Sequence, residues 1–146
     1  MNPFSPTDYF HRDIAPNYRW LTLAVILLII QGYVLFNDSP PSEPAAWLLT
    51  LNQILTPLPG VTAPTETGFD LIVHFSSCAL IAMALYLSHL RPGFVFIVLG
   101  TYAWLTEIIQ DRLLYYRTGS YIDAIADMLG ITFSFVIFYF FYRRKL

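Results

Sequence analysis

The chain reads as an all-α integral membrane protein: four transmembrane helices in a bundle, with one short interfacial helix in the first outer loop. Three observations point there. Apolar residues fill 56% of the 146 positions and charged residues only 12%, and mean hydropathy is +0.55, too apolar a balance for a water-soluble domain of this size. Four apolar stretches approach the roughly 20 residues that cross a hydrocarbon core of about 30 Å. Polar residues concentrate at the ends of those stretches and in the connections between them. The length fits one domain. Net charge is −2, with no basic tract long enough to suggest a nucleic-acid partner.

Residues 1–17 form a polar N-terminal segment interrupted by Pro3, Pro6 and Pro16, without the compact pattern of a cleaved signal peptide. The first span, 18–36, would extend about 28 Å as a helix. Trp20 and Tyr33 near its ends suit the interfacial belts, and Gln31 is a lone polar residue suited to a helix contact. Residues 37–69 form a long outer loop broken by Pro40, Pro41, Pro44, Pro57, Pro59 and Pro64. Within it, Trp47, Leu48, Leu51, Ile54 and Leu55 share one helical face. That run is too short to span, so it predicts a helix over 44–55 lying on the membrane surface or folded over the bundle, where it could serve as a lid.

The second span is placed at 71–89, with Asp70 at its start and His74 one turn in. Cys78, the single cysteine, lies in this apolar run and reads as a small packing residue. Arg91, Pro92 and Gly93 make a tight connection to the third span, 93–110, and Asp111 to Gly119 a short loop. Ser120 is a plausible N-cap for the fourth span, 121–142, before a basic tail over 143–146.

Lys and Arg set the orientation. Arg12, Arg19, Arg91, Arg143, Arg144 and Lys145 fall on one side, and only Arg112 and Arg117 on the other. The positive-inside rule puts both termini in the cytoplasm. Asp70, His74, Glu107, Gln110, Arg117, Ser120, Asp123 and Asp127 then converge at the outer leaflet. Ionisable groups at membrane depth are costly, which makes this cluster the candidate functional site.

Spacing assigns faces. Asp123, Asp127, Gly130 and Ser134 form one helical stripe, and Gly100, Ala103, Glu107 and Gln110 another. Small residues permit close approach and polar ones bond across the contact, so the third and fourth helices are expected to pack through these faces. Arg117, in the connection, can reach either set of carboxylates.

At these residues the sequence resembles the VanZ-like membrane proteins. Asp70, His74 and Phe75 match that family's Asp before a His-Phe pair; Glu107 and Gln110 match its Glu and Gln three apart; Arg117, Ser120, Asp123 and Gly130 match its third motif. The resemblance covers Asp70 to Ser134, about half the chain. Leu71, Asp127 and Ser134 depart from it, standing where the family often has Lys, Asn and Gly, and the loop between Gln110 and Arg117 is slightly long. The site is therefore more acidic than the family pattern. The resemblance implies a bacterial cytoplasmic-membrane location in the cell envelope and a link to cell-wall antibiotics, and it brings no established reaction.

Three functions are compatible with the residues. The cluster can bind the polar head of an envelope lipid, a lipid-linked cell-wall precursor, or a glycopeptide or lipopeptide antibiotic, with Arg117 suited to phosphate or carboxylate. It can act as an intramembrane hydrolase or transferase, pairing Asp123 with Asp70 or Asp127, or using Asp, His and Glu to hold a divalent metal. Or it is hydrogen-bonded glue between helices, the better account of Gln110 and Ser120. No HExxH, GxSxG, paired Cys and His motif or glycine-rich nucleotide loop occurs, so no metal or other cofactor is expected.

Overall fold

The computed structural model describes residues 15–37, 66–115 and 119–143, with backbone alone for 66–70 and 142–143. They form four helices: α1 (Tyr18–Leu35), α2 (Glu66–Leu87), α3 (Pro92–Leu113) and α4 (Tyr121–Arg143). No strand occurs among the described residues. The expected surface helix over 44–55, Arg117, and both ends of the chain lie outside them.

Three helices are long and apolar enough to cross a membrane: Tyr18–Leu35, Pro92–Leu113 and Tyr121–Phe141. The Leu71–Leu87 stretch of α2 is apolar but shorter. The outer surface carries large apolar side chains in quantity, including Ile29, Ile97 and Leu129, each more than half exposed. In water such a surface would drive association; against lipid it is the expected outside of a bundle.

Register fixes the directions. His74 meets Asp127, and Ala79 meets Ser134, so both numbers rise together and α2 and α4 run parallel. Asn17 meets Ser88, and Gln31 meets Ser77, so α1 and α2 are antiparallel. Glu107 lies against Ser120 and Gly100 against Met128, so α3 and α4 are antiparallel as well. α2 is the central helix, packed against the other three and most extensively against α4. Around it gather Cys78, Ile81, Ala82, Ala84, Leu85, Tyr86, Leu99, Ile131 and Phe138, all buried.

The α2–α4 contact owes its closeness to Gly130. A Cβ there would collide with the Phe75 carbonyl oxygen and sit 3.1 Å from the Ala79 nitrogen, so backbone meets backbone. Close approach of this kind is how helices associate where lipid removes the hydrophobic drive between them. Ser134 Oγ then donates to the Ala79 carbonyl at 2.6 Å.

This corrects the expected pairing. Asp127, Gly130 and Ser134 form a buried stripe, but its close contacts run to α2, with Asp127 alone also near Glu107 of α3. The reason is the surface α2 offers: Ser77, Cys78, Ala79 and Ala82 are all small, so α4 can sit closer there than on α3, whose Gly100 meets the Met128 thioether.

Helix ends also differ from expectation. The backbone of α2 is helical from Glu66, which places Asp70 inside the helix. α3 continues through Asp111, Arg112 and Leu113, and stops where Leu114 turns extended with its N–H on the Gln110 carbonyl. Polarity marks where a helix leaves the membrane, not where its hydrogen bonding ends. Pro92 and Gly93 belong to α3, with Pro92 in its first turn, where the missing N–H has no partner to lose. The tight reversal falls instead at His89, whose φ of 66° puts it in the left-handed region.

Candidate functional site

The ends of α1 and α3 and the starts of α2 and α4 meet at one end of the bundle, and the polar residues collect there. His74 is in the third turn of α2, Glu107 in the last two turns of α3, and Asp127 in the second turn of α4. All three are buried, Asp127 completely. His74 Nδ1 lies 3.2 Å from Asp127 Oδ1, a hydrogen bond in which Nδ1 donates when it holds the proton. The same nitrogen is 3.8 Å from Glu107 Oε1. One nitrogen and two carboxylates from three helices thus face a common point, with all three ligand atoms within 4.8 Å of one another.

Glu107 is oriented from behind. Glu107 Oε2 accepts the Ser120 backbone N–H at 2.7 Å, which leaves Oε1 toward His74. Gly119 makes this possible: its Cα presses on the Glu107 carbonyl, where any Cβ would collide. Ser120 is the N-cap of α4, its Oγ accepting the Ile122 N–H at 3.2 Å. Behind His74, Ser77 Oγ donates to the His74 carbonyl at 3.1 Å, and Gln31 Nε2 donates to Ser77 Oγ at 2.8 Å.

The cluster is incompletely bonded. Glu107 Oε1 and Asp127 Oδ2 are buried and have no hydrogen-bond partner among the described residues. Such orphaned acceptors are rare in folded proteins and call for an explanation.

The remaining candidates divide. Gln110 is buried but faces α1, donating to the Leu35 carbonyl at 2.9 Å and so capping the last turn of that helix. Asp123 is half-buried and within electrostatic reach of His74 and Glu107. Asp70 lies one turn before His74 on α2, with its side chain not described. Arg117 lies outside the described residues.

Three neighbours were not expected in the site. Gln31 donates to Cys78 Sγ at 3.4 Å as well as to Ser77, and Cys78 sits beside Asp127. The Tyr102 hydroxyl is buried, without a partner among the described residues and within electrostatic reach of Asp127. The signal for Tyr102 was its depth: tyrosine belongs at membrane interfaces, and this one is in mid-span.

An apolar groove of about 500 Å³ runs along the outside of α3 and α4, lined by Phe96, Ile97, Gly100, Thr101, Trp104, Leu105 and Met128. Met128 adjoins Asp127 in sequence, and Gly100 shares the α3 stripe with Glu107. On α3 the groove lining ends at Leu105, two residues before Glu107, so groove and cluster adjoin.

These features define an integral, multi-pass membrane protein built from helices, with an acidic, histidine-containing cluster near one end. Compared with protein-family models, curated proteins and solved structures, the chain matches none.

Proposed function

We propose that the chain is a VanZ-like protein of the bacterial cytoplasmic membrane that binds an envelope lipid or lipid-linked cell-wall precursor at its outer face. In this reading α2 is the fourth span, both termini are cytoplasmic, and the cluster end faces outward, as the Lys and Arg distribution favours. The observation that carries the proposal is that the apolar groove on α3 and α4 adjoins the polar cluster. An acyl or prenyl chain fits the groove, which is apolar and opens on the lipid side. The head group then lies over Asp123 and the cluster beneath it. Helix glue accounts for Gln110 and Ser120, whose bonds are made. It does not account for two buried carboxylate oxygens without partners among the described residues.

The test is lipid retention. Protein purified in mild detergent is expected to carry a bound lipid detectable by mass spectrometry. Gly100→Leu fills the groove from its α3 wall and is expected to reduce the retained lipid about tenfold, equivalent to about 1.4 kcal/mol. Equal retention by a folded Gly100→Leu protein would defeat the proposal.

A further inference from the structure

We infer that His74, Glu107 and Asp127 form a site for one divalent transition-metal ion of zinc's class. The site stands on the cluster alone and holds whether or not the groove takes a lipid.

Geometry comes first. Zinc bonds to nitrogen and oxygen run about 2.0–2.2 Å, which sets neighbouring ligands in a tetrahedron about 3.3–3.6 Å apart. The separations from His74 Nδ1 are 3.2 Å to Asp127 Oδ1 and 3.8 Å to Glu107 Oε1, on either side of that range. The three ligands come from three helices that backbone contacts hold in place, so closing on an ion needs side-chain movement only.

The orphaned oxygens are the independent observation. Glu107 and Asp127 are more than nine-tenths buried, and each has one oxygen without a hydrogen-bond donor among the described residues. A cation held at Oε1 would satisfy the Glu107 orphan, and an Asp127 carboxylate binding it through both oxygens would satisfy Oδ2 as well. Two carboxylates and one neutral imidazole around a divalent ion also sum to zero charge, which suits a site inside an apolar bundle. Without it, two carboxylates stand close together among buried side chains with no described cation beside them.

The surroundings are those of a metal site. Ligating carboxylates are usually held by a further hydrogen bond, and the Ser120 N–H supplies one to the non-ligating Glu107 oxygen. The ligand set is imidazole and carboxylate, which suits zinc, iron or manganese better than copper(I), which prefers sulfur. Three protein ligands leave a fourth position open, the pattern of sites that take water or a ligand atom.

The test uses the full-length chain in detergent, stripped with chelator, and the metal alone as probe. Co²⁺ titration is expected to produce visible ligand-field bands that saturate at about one ion per chain and are displaced by Zn²⁺. Glu107→Gln and Asp127→Asn, nearly isosteric, are expected to weaken binding at least about tenfold, while Ser134→Ala leaves it unchanged. Wild-type protein without saturable binding, or variants that bind as tightly as wild type, would overturn the inference. Should both variants fail to fold, the wild-type thermal midpoint decides. It is expected to rise with Zn²⁺ by linkage, and a midpoint indifferent to saturating Zn²⁺ refutes the site.

Discussion

Gly130→Ala adds one methyl group at the place where α4 touches α2, and it separates a backbone contact from a side-chain contact. The new Cβ would collide with the Phe75 carbonyl oxygen and lie 3.1 Å from the Ala79 nitrogen. Neither is the end of a flexible side chain, so the helices must part. Overpacking of this kind costs about 1–3 kcal/mol. Parting also weakens the Ser134 bond to Ala79, and interhelical hydrogen bonds in membranes are worth about 0.6 kcal/mol on average. Alanine regains at most about 1 kcal/mol through its better helix propensity. The net expected loss is about 0.6–2.6 kcal/mol, read by denaturant unfolding in mixed micelles. Gly100→Ala is the control: its Cβ would meet the Met128 Sδ at 3.2 Å, and a thioether at the end of a mobile side chain can move aside. That variant is expected within about 0.5 kcal/mol of wild type. If the two alanine variants unfold at the same denaturant concentration, Gly130 is not the close contact described.

Three further outcomes are expected. Gln110→Leu removes the donor to the Leu35 carbonyl and should lower unfolding free energy by about 0.6–1.7 kcal/mol, the range for such bonds in membranes; no loss would mean that water or lipid replaces it. Ser120→Ala removes the N-cap of α4 but keeps the backbone N–H to Glu107. It should cost about 0.5–2 kcal/mol in the same assay while leaving Co²⁺ binding intact. For topology, an impermeant thiol reagent should label Tyr115→Cys on intact cells and Gly93→Cys only after lysis, with native Cys78 silent because it is buried. The opposite pattern would invert the proposed orientation.

Most of the helical layout was legible because apolar length is a strong signal: the starts of α1 and α4 fall where the sequence placed them. The structure brings His74, Glu107 and Asp127 together, at the end of the bundle where alternating helix directions place them. The partner of each face was not legible. Periodicity shows that Asp127, Gly130 and Ser134 share a stripe, but α2 and α3 both present small residues, and only three-dimensional packing decides which of them α4 approaches. Gln110 illustrates the same limit: it shares a stripe with Glu107, yet its amide turns to α1. Gln31 and Tyr102 were hard to place in the site because an isolated polar residue in an apolar run gives no direction. The continuation of α3 through Asp111 and Arg112 was missed because charge was read as a loop.

The central position of α2 bears on how the protein is made. Its apolar stretch, Leu71–Leu87, is the shortest of the four, about 25 Å against a core of about 30 Å. It also carries His74, Ser76 and Ser77. α1 and α3 can partition into a bilayer on their own apolar surface, whereas α2 keeps His74 away from lipid only when α4 covers it. α4 is the last of the four to leave the ribosome. Until it arrives, a nascent chain carries an exposed His74 and a half-built cluster, a state open to retention at the insertion machinery or to membrane proteases. Emergence of α4 and burial of the site are therefore one event, and truncations that end before Tyr121 are expected to be degraded rather than to accumulate as three-helix fragments.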